Sequence, residues 1–237
     1  MRIVAFCAAL GAALVSCDVG AAAEGGAVDA AHALLFSGFD VWRGGGFFNG
    51  GLLWSPDGVA QEGFTLKLML GGGTYRYLSG TTEITGRQYV GSLLPGYRFK
   101  RDALEVTVFL GADVQEHHLT PDDFGNSLRG FHIGLRGGFD AWYEPLPAEL
   151  MLTASVSAST VGTNLWARAA AGVRAFDVWV GPEVIACGDE TYRQFRVGAH
   201  VTAFRTDPVE WSAGAGWAID NDQRSGAYGR IGVLVRR

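Results

Sequence analysis

The sequence predicts an all-β protein: one domain, an antiparallel, up-and-down transmembrane β-barrel of about 12 strands. Three observations predict it. Apolar and polar side chains alternate with a period of two from near Leu34 to the last residue. The first 23 residues read as an export signal. No stretch after residue 30 holds the roughly 18 consecutive apolar residues of a membrane helix. A chain that enters a membrane without such a helix must do so as a closed barrel, because only these two structures satisfy every backbone polar group in lipid.

The alternation is plainest between Leu104 and Gln115. Leu104, Val106, Val108, Leu110, Ala112 and Val114 fall on one face of a strand, and Glu105, Thr107, Asp113 and Gln115 on the other. Glycine is enriched, with 35 of 237 residues, about twice the usual share. With only 7 prolines this is no disordered Gly/Pro chain; glycines inside alternating segments permit close backbone approach and curvature. The net charge is −5 without a long run of either sign, so no nucleic-acid surface is expected.

Arg2 precedes an apolar run from Ile3 to Val15, and Ala21-Ala22-Ala23 offers a cleavage site before Glu24. A second reading stands beside it: Leu14-Val15-Ser16-Cys17 resembles a lipobox in which Cys17 is lipidated. Cleavage after Ala23 leaves Cys187 as the only cysteine, hence no internal disulfide. Residues 24–32 read as a linker and 33–237 as the barrel.

The strands are expected in this order. Leu35–Arg43 ends at Gly44-Gly45-Gly46, and Phe47–Trp54 is closed by Ser55-Pro56-Asp57-Gly58. Phe64–Tyr77 follows, with a bulge expected at Gly71-Gly72-Gly73. A polar loop at Gly80–Gly86 precedes Gln88–Phe99, and Lys100-Arg101-Asp102 turns into Leu104–Glu116. The longest loop is His117–Ser127, before Leu128–Tyr143 and the turn at Glu144-Pro145-Leu146-Pro147. Leu150–Ser159, Leu165–Phe176 and Val178–Ala186 come next, joined by short turns. Gln194–Arg205, Val209–Ile219 and Ala227–Val235 complete the set. An even number of strands with short turns at one end and longer polar loops at the other places both termini in the periplasm. Trp42, Trp54, Tyr75, Tyr77, Trp142, Tyr143, Trp166, Trp179, Tyr192, Trp211 and Tyr228 lie near strand ends, as two interfacial aromatic girdles would.

With the apolar face toward lipid, the inner face holds Asp40, Lys67, Arg98, Glu105, Asp113, His132, Arg136, Asp140, Arg168, Arg174, Glu183, Arg196, His200, Glu210 and Arg230. Charges in a low-dielectric interior must be paired. The near balance of signs therefore predicts Arg–carboxylate pairs. Eight-stranded barrels are filled and 16–18-stranded ones leave a channel, so this interior is a narrow polar passage or is plugged. No stripe of aromatics for sugar stacking is read along it. His117-His118 with Asp122 and Asp123 matches no zinc or calcium spacing, and no phosphate-binding loop or G-x-S-x-G motif occurs. No cofactor, metal or catalytic residue is expected. A hydrolase would have to recruit Ser157 or Ser159 with a distant histidine.

Several segments resemble the cellulose biosynthesis protein BcsS family of alphaproteobacteria. They are Phe36–Arg43, Leu70–Gly80, Leu94–Phe99, Leu119–Asp123, Leu135–Asp140, Ser157–Thr163 and Tyr228–Val233. The resemblance covers most of the chain after the signal. It implies a non-enzymatic accessory protein of cellulose synthesis and secretion, and supplies no active-site residues. Combined with the barrel reading, it implies a protein of the outer membrane. Its expected partners are outer-membrane lipid, a β-glucan chain and other components of the secretion system. A general porin or solute channel unrelated to cellulose, and a barrel-embedded lipid or polysaccharide hydrolase, remain open from the residues alone.

Overall fold

A computed structural model describes residues 31–145, 147, 149–189, 193–221 and 223–237. The export signal, Cys17 and Tyr192 lie outside the described residues. The strands are β1 (Ala33–Trp42), β2 (Gly45–Trp54), β3 (Gly63–Ser79), β4 (Thr82–Arg101), β5 (Leu104–Thr120) and β6 (Gly130–Tyr143). They continue as β7 (Leu150–Ser159), β8 (Asn164–Ala175), β9 (Val178–Gly188), β10 (Arg193–Thr206), β11 (Val209–Asp220) and β12 (Ser225–Arg236). Each pairs antiparallel with its neighbours in sequence, and β1 closes on β12 from Leu34↔Arg236 to Trp42↔Tyr228. Closure leaves no sheet edge at this seam. The even strand number brings the start of β1 and the end of β12, the two termini of the barrel, to one end, where Ala33 and Arg237 exchange two backbone hydrogen bonds of 2.8 and 2.7 Å.

The side-chain distribution is inside-out relative to a water-soluble fold. On β5, Leu104, Val108, Leu110 and Val114 are exposed, while Glu105, Thr107, Phe109, Asp113 and Gln115 are buried. Exposed apolar residues continue around the wall, among them Leu70, Leu93, Leu135, Phe139, Val173, Val197, Trp217 and Ile231. Tilted as barrel strands are, the outward run from Leu104 to Val114 stands roughly 25 Å tall. Above it the outward row changes character: Thr74, Arg87 and His118 face out in register across β3, β4 and β5. Among the described residues no helix is long and apolar enough to cross a membrane.

Three expectations are corrected. The ladder runs unbroken through Gly71-Gly72-Gly73 on both sides, so there is no bulge there. A register shift occurs instead on β10 between Val201 and Phe204, where Ala203 has φ 67. The polar loop expected at Gly80–Gly86 is a two-residue turn, with Gly80 at φ 62, because Thr82–Gly86 pairs with Tyr75–Ser79. Above the apolar band the outward face need not be greasy, so the ladder continues in polar sequence. This also upsets the expected division of short and long connections. Residues 55–62, at the end bearing the termini, form one of the longer ones.

The third correction concerns the aromatics. Trp42, Tyr75, Tyr77, Trp142, Trp166, Trp179 and Tyr228 are buried in the barrel rather than set in girdles. Trp54 and Tyr143 do face outward. Trp42 shares its parity with Asp40, and Tyr228 with Arg230, so strand phase decides their direction and nearness to a strand end does not.

The inward rings explain much of the glycine. A Cβ on Gly51 would lie 2.6 Å from the Phe36 ring, one on Gly71 2.8 Å from Phe47, and one on Gly86 would overlap Tyr75. Each ring lies flat on wall that a side chain would otherwise occupy. Gly86→Val is therefore expected to destabilise the barrel by about 1–3 kcal/mol through overpacking. The Tyr75 ring cannot swing aside freely, since its hydroxyl lies 3.0 Å from His117 Nδ1. The urea midpoint of the detergent-folded protein measures this; an unchanged midpoint would show that the ring has room to move.

Candidate functional site

The interior is organised around carboxylates that each gather several donors. Glu183 on β9 accepts from Arg168 Nε at 2.9 Å, from Arg230 NH2 at 2.6 Å and Nε at 2.9 Å, and from the Tyr228 hydroxyl at 3.0 Å. Asp40 on β1 accepts from Arg196 NH1 of β10 at 2.6 Å, reaching across β12 and β11. The Arg196 guanidinium also lies 4.9 Å from the Trp42 ring centroid and 5.5 Å from that of Tyr228. These are charge-assisted contacts in a dry setting, the strong class of hydrogen bond.

A second network centres on Asp113 of β5. Its two oxygens accept from Arg136 Nε and NH2 at 2.9 and 2.8 Å, from Ser92 at 2.7 Å, from Ser159 at 2.6 Å and from Gln115 at 2.8 Å. Gln115 extends it to Gln88 at 3.0 Å and to His117 at 3.2 Å, and His117 to Tyr75. Nearer the end that holds the termini, Lys67 of β3 spans to Asp140 of β6 at 3.2 Å, with its ammonium 4.9 Å from the Phe109 centroid. Arg98 Nε donates to Thr107 at 3.2 Å, and Glu105 pairs with Lys100 at 3.0 Å. Glu210 receives Arg236 at 2.8 Å and Arg205 at 3.5 Å.

Of the fifteen inner-face candidates, Asp40 with Arg196, Asp113 with Arg136, Lys67 with Asp140, and Glu183 with Arg168 and Arg230 are thus brought together as ion pairs. His200 is buried and lies 2.9 Å from the Thr202 hydroxyl and 3.1 Å from the Ala171 carbonyl. His132 is half-buried beside His117. Arg174 differs from the rest: it sits at the rim, exposed, 3.9 Å from Asp177 and over the Trp179 ring. Reading the sequence for charge alone misses Ser92, Gln115, Ser159, Gln88 and Tyr228. All but Ser159, whose strand carries no charge, share strand parity with a charged neighbour, and that signal would have found them.

The weaker constellations come apart in three dimensions. His117 and His118 are consecutive, so they face opposite sides of the wall, and His118 pairs outward with Glu116 at 3.1 Å. Asp123 accepts from Tyr77 at 2.9 Å and Asp122 pairs with Arg129 at 3.4 Å. Among the described residues no group of three His, Cys, Asp or Glu could hold a metal ion. Ser159 donates to Asp113 and Ser157 accepts from Arg136, so both hydroxyls belong to the bracing network.

No curated protein matches the chain. Solved structures similar to it include a KdgM porin, at 11% identity and TM-score 0.45 over 85% of this chain and 98% of that one. LpxR from Salmonella typhimurium is similar at 12% identity and TM-score 0.46, over 86% of this chain and 99% of that one. The translocator domain of the autotransporter NalP from Neisseria meningitidis is similar at 13% identity and TM-score 0.44, over 86% of each chain. The family model for the cellulose biosynthesis protein BcsS matches residues 34–237, and the chain belongs to that family.

Proposed function

We propose that this protein is a non-enzymatic outer-membrane barrel that assists assembly of the cellulose secretion apparatus while its own interior stays closed. Family membership supports the link to cellulose. The closed wall with its apolar band supports the membrane placement. One observation carries the closed interior: Arg98, Arg136 and Arg196, long side chains aimed inward, are each 2% exposed or less. A guanidinium lining an aqueous channel would be wet. Here Arg136 and Arg196 are held by carboxylates of other strands and Arg98 by the Thr107 hydroxyl, which favours bracing over conduction and counts against a general porin. The role that fits is a rigid membrane-embedded surface beside the route of the glucan rather than the route itself.

Two experiments test the two halves of this reading. Purified protein reconstituted in planar bilayers is expected to show no single-channel steps; steady conductance would sink the closed interior. A deletion strain is expected to lose extracellular cellulose while its isolated membranes keep synthase activity. Normal extracellular cellulose in that strain would end the accessory role. Sedimentation with the outer-membrane fraction and heat-modifiable migration check the placement.

A further inference from the structure

At the end of the barrel away from the termini, above the braced interior, a polar pocket of about 250 Å³ stays open. Trp42, Arg43, Arg76, Glu83, Asp220 and Arg224 line it, drawn from both sides of the β1–β12 seam. Its walls offer hydrogen bonds of both senses. Arg224 Nε lies 3.0 Å from Asp220 Oδ2, and Arg76 NH1 lies 4.0 Å from Glu83 Oε1. Arg43 NH1 donates to the Ser225 carbonyl at 3.1 Å. The Trp42 indole N–H is buried and has no hydrogen-bond partner among the described residues. It lies beside Gly44, where an added Cβ would be 3.4 Å from Nε1. The indole is held in place by the Arg196 guanidinium, which Asp40 anchors in turn.

The composition of the pocket selects its ligand. A compact anion would need several cations to spare, but Arg76 and Arg224 already face carboxylates, which leaves Arg43 alone to answer it. An apolar ligand would strip water from five charged groups without replacing any hydrogen bond. A neutral saccharide satisfies both walls, since each hydroxyl can accept from a guanidinium or indole N–H and donate to a carboxylate. A fixed indole lowers the ordering cost of binding. We infer that this mouth pocket binds a neutral saccharide, one unit of a β-glucan chain. The inference rests on the cellulose-linked reading above and names the chemistry by which the barrel would engage the polymer.

The test uses the full chain folded in detergent, titrated with cellotetraose by calorimetry and tryptophan fluorescence. Saturable binding is expected. Glu83→Gln and Arg43→Gln should each weaken it on the order of tenfold, the loss expected for one hydrogen bond to a charged group. Arg87→Gln, on the exposed outer wall, should leave it unchanged. Heat-modifiable migration confirms that each variant is folded. No saturable binding by the folded protein, or equal binding by the pocket variants, overturns the site. Equal affinity for maltotetraose overturns the β-glucan assignment. Failure to bind in a protein whose deletion still abolishes extracellular cellulose sinks this inference and leaves the accessory role standing. Binding in a protein whose deletion leaves cellulose normal does the reverse.

Discussion

Glu183→Ala is expected to cost about 3–5 kcal/mol of unfolding free energy, the range for breaking a buried ion pair from one side. The carboxylate is 1% exposed and accepts from Arg168, Arg230 and Tyr228. Alanine would leave two buried guanidiniums facing each other without the carboxylate they share. The penalty comes from those stranded charges more than from the lost bonds themselves. Glu183→Gln keeps the shape and some acceptor capacity but loses the charge, so it should fall between wild type and alanine. Urea unfolding of detergent-folded protein, followed by tryptophan fluorescence, gives the midpoints. A loss below about 1 kcal/mol for the alanine variant would mean that water reaches the arginines, and the closed interior would have to be abandoned.

Asp113→Ala should be as damaging, again about 3–5 kcal/mol, and for the same physical reason. Its side chain is fully buried and takes five hydrogen bonds from Arg136, Ser92, Ser159 and Gln115. The two centres share no hydrogen-bond partner, so the losses should add within about 0.5 kcal/mol in the double variant. Marked non-additivity would show that the two networks act as one unit through the wall. Because the outward face is untouched, both variants should still partition with membranes when folded.

Much of this was legible in the chain before it was folded. The twelve strands follow from the two-residue alternation, since a strand must present alternate residues to opposite sides. The same parity identifies Asp40, Asp113, Glu183 and the arginines as inward. Parity was equally available for Trp42, Tyr75 and Tyr228, and reading them by nearness to strand ends misdirected them. The extension of β3 and β4 past Tyr75 was not legible, because polar residues pair as well as apolar ones once the wall leaves the apolar band.

Alternation, with the export signal and the want of a membrane-length apolar run, determined the fold class; the same alternation determined the even strand count and the direction of the inward charges, Arg174 at the rim excepted. Those are local properties of an extended backbone. Only the tertiary structure decided which charges meet. Asp40 finds Arg196 156 positions away because closure of β1 on β12 brings β10 within reach. The mouth pocket likewise joins Trp42 to Asp220 and Arg224 across that same seam. Ion pairing depends on distance through space, and that distance is set by strand register and by the closing of the barrel.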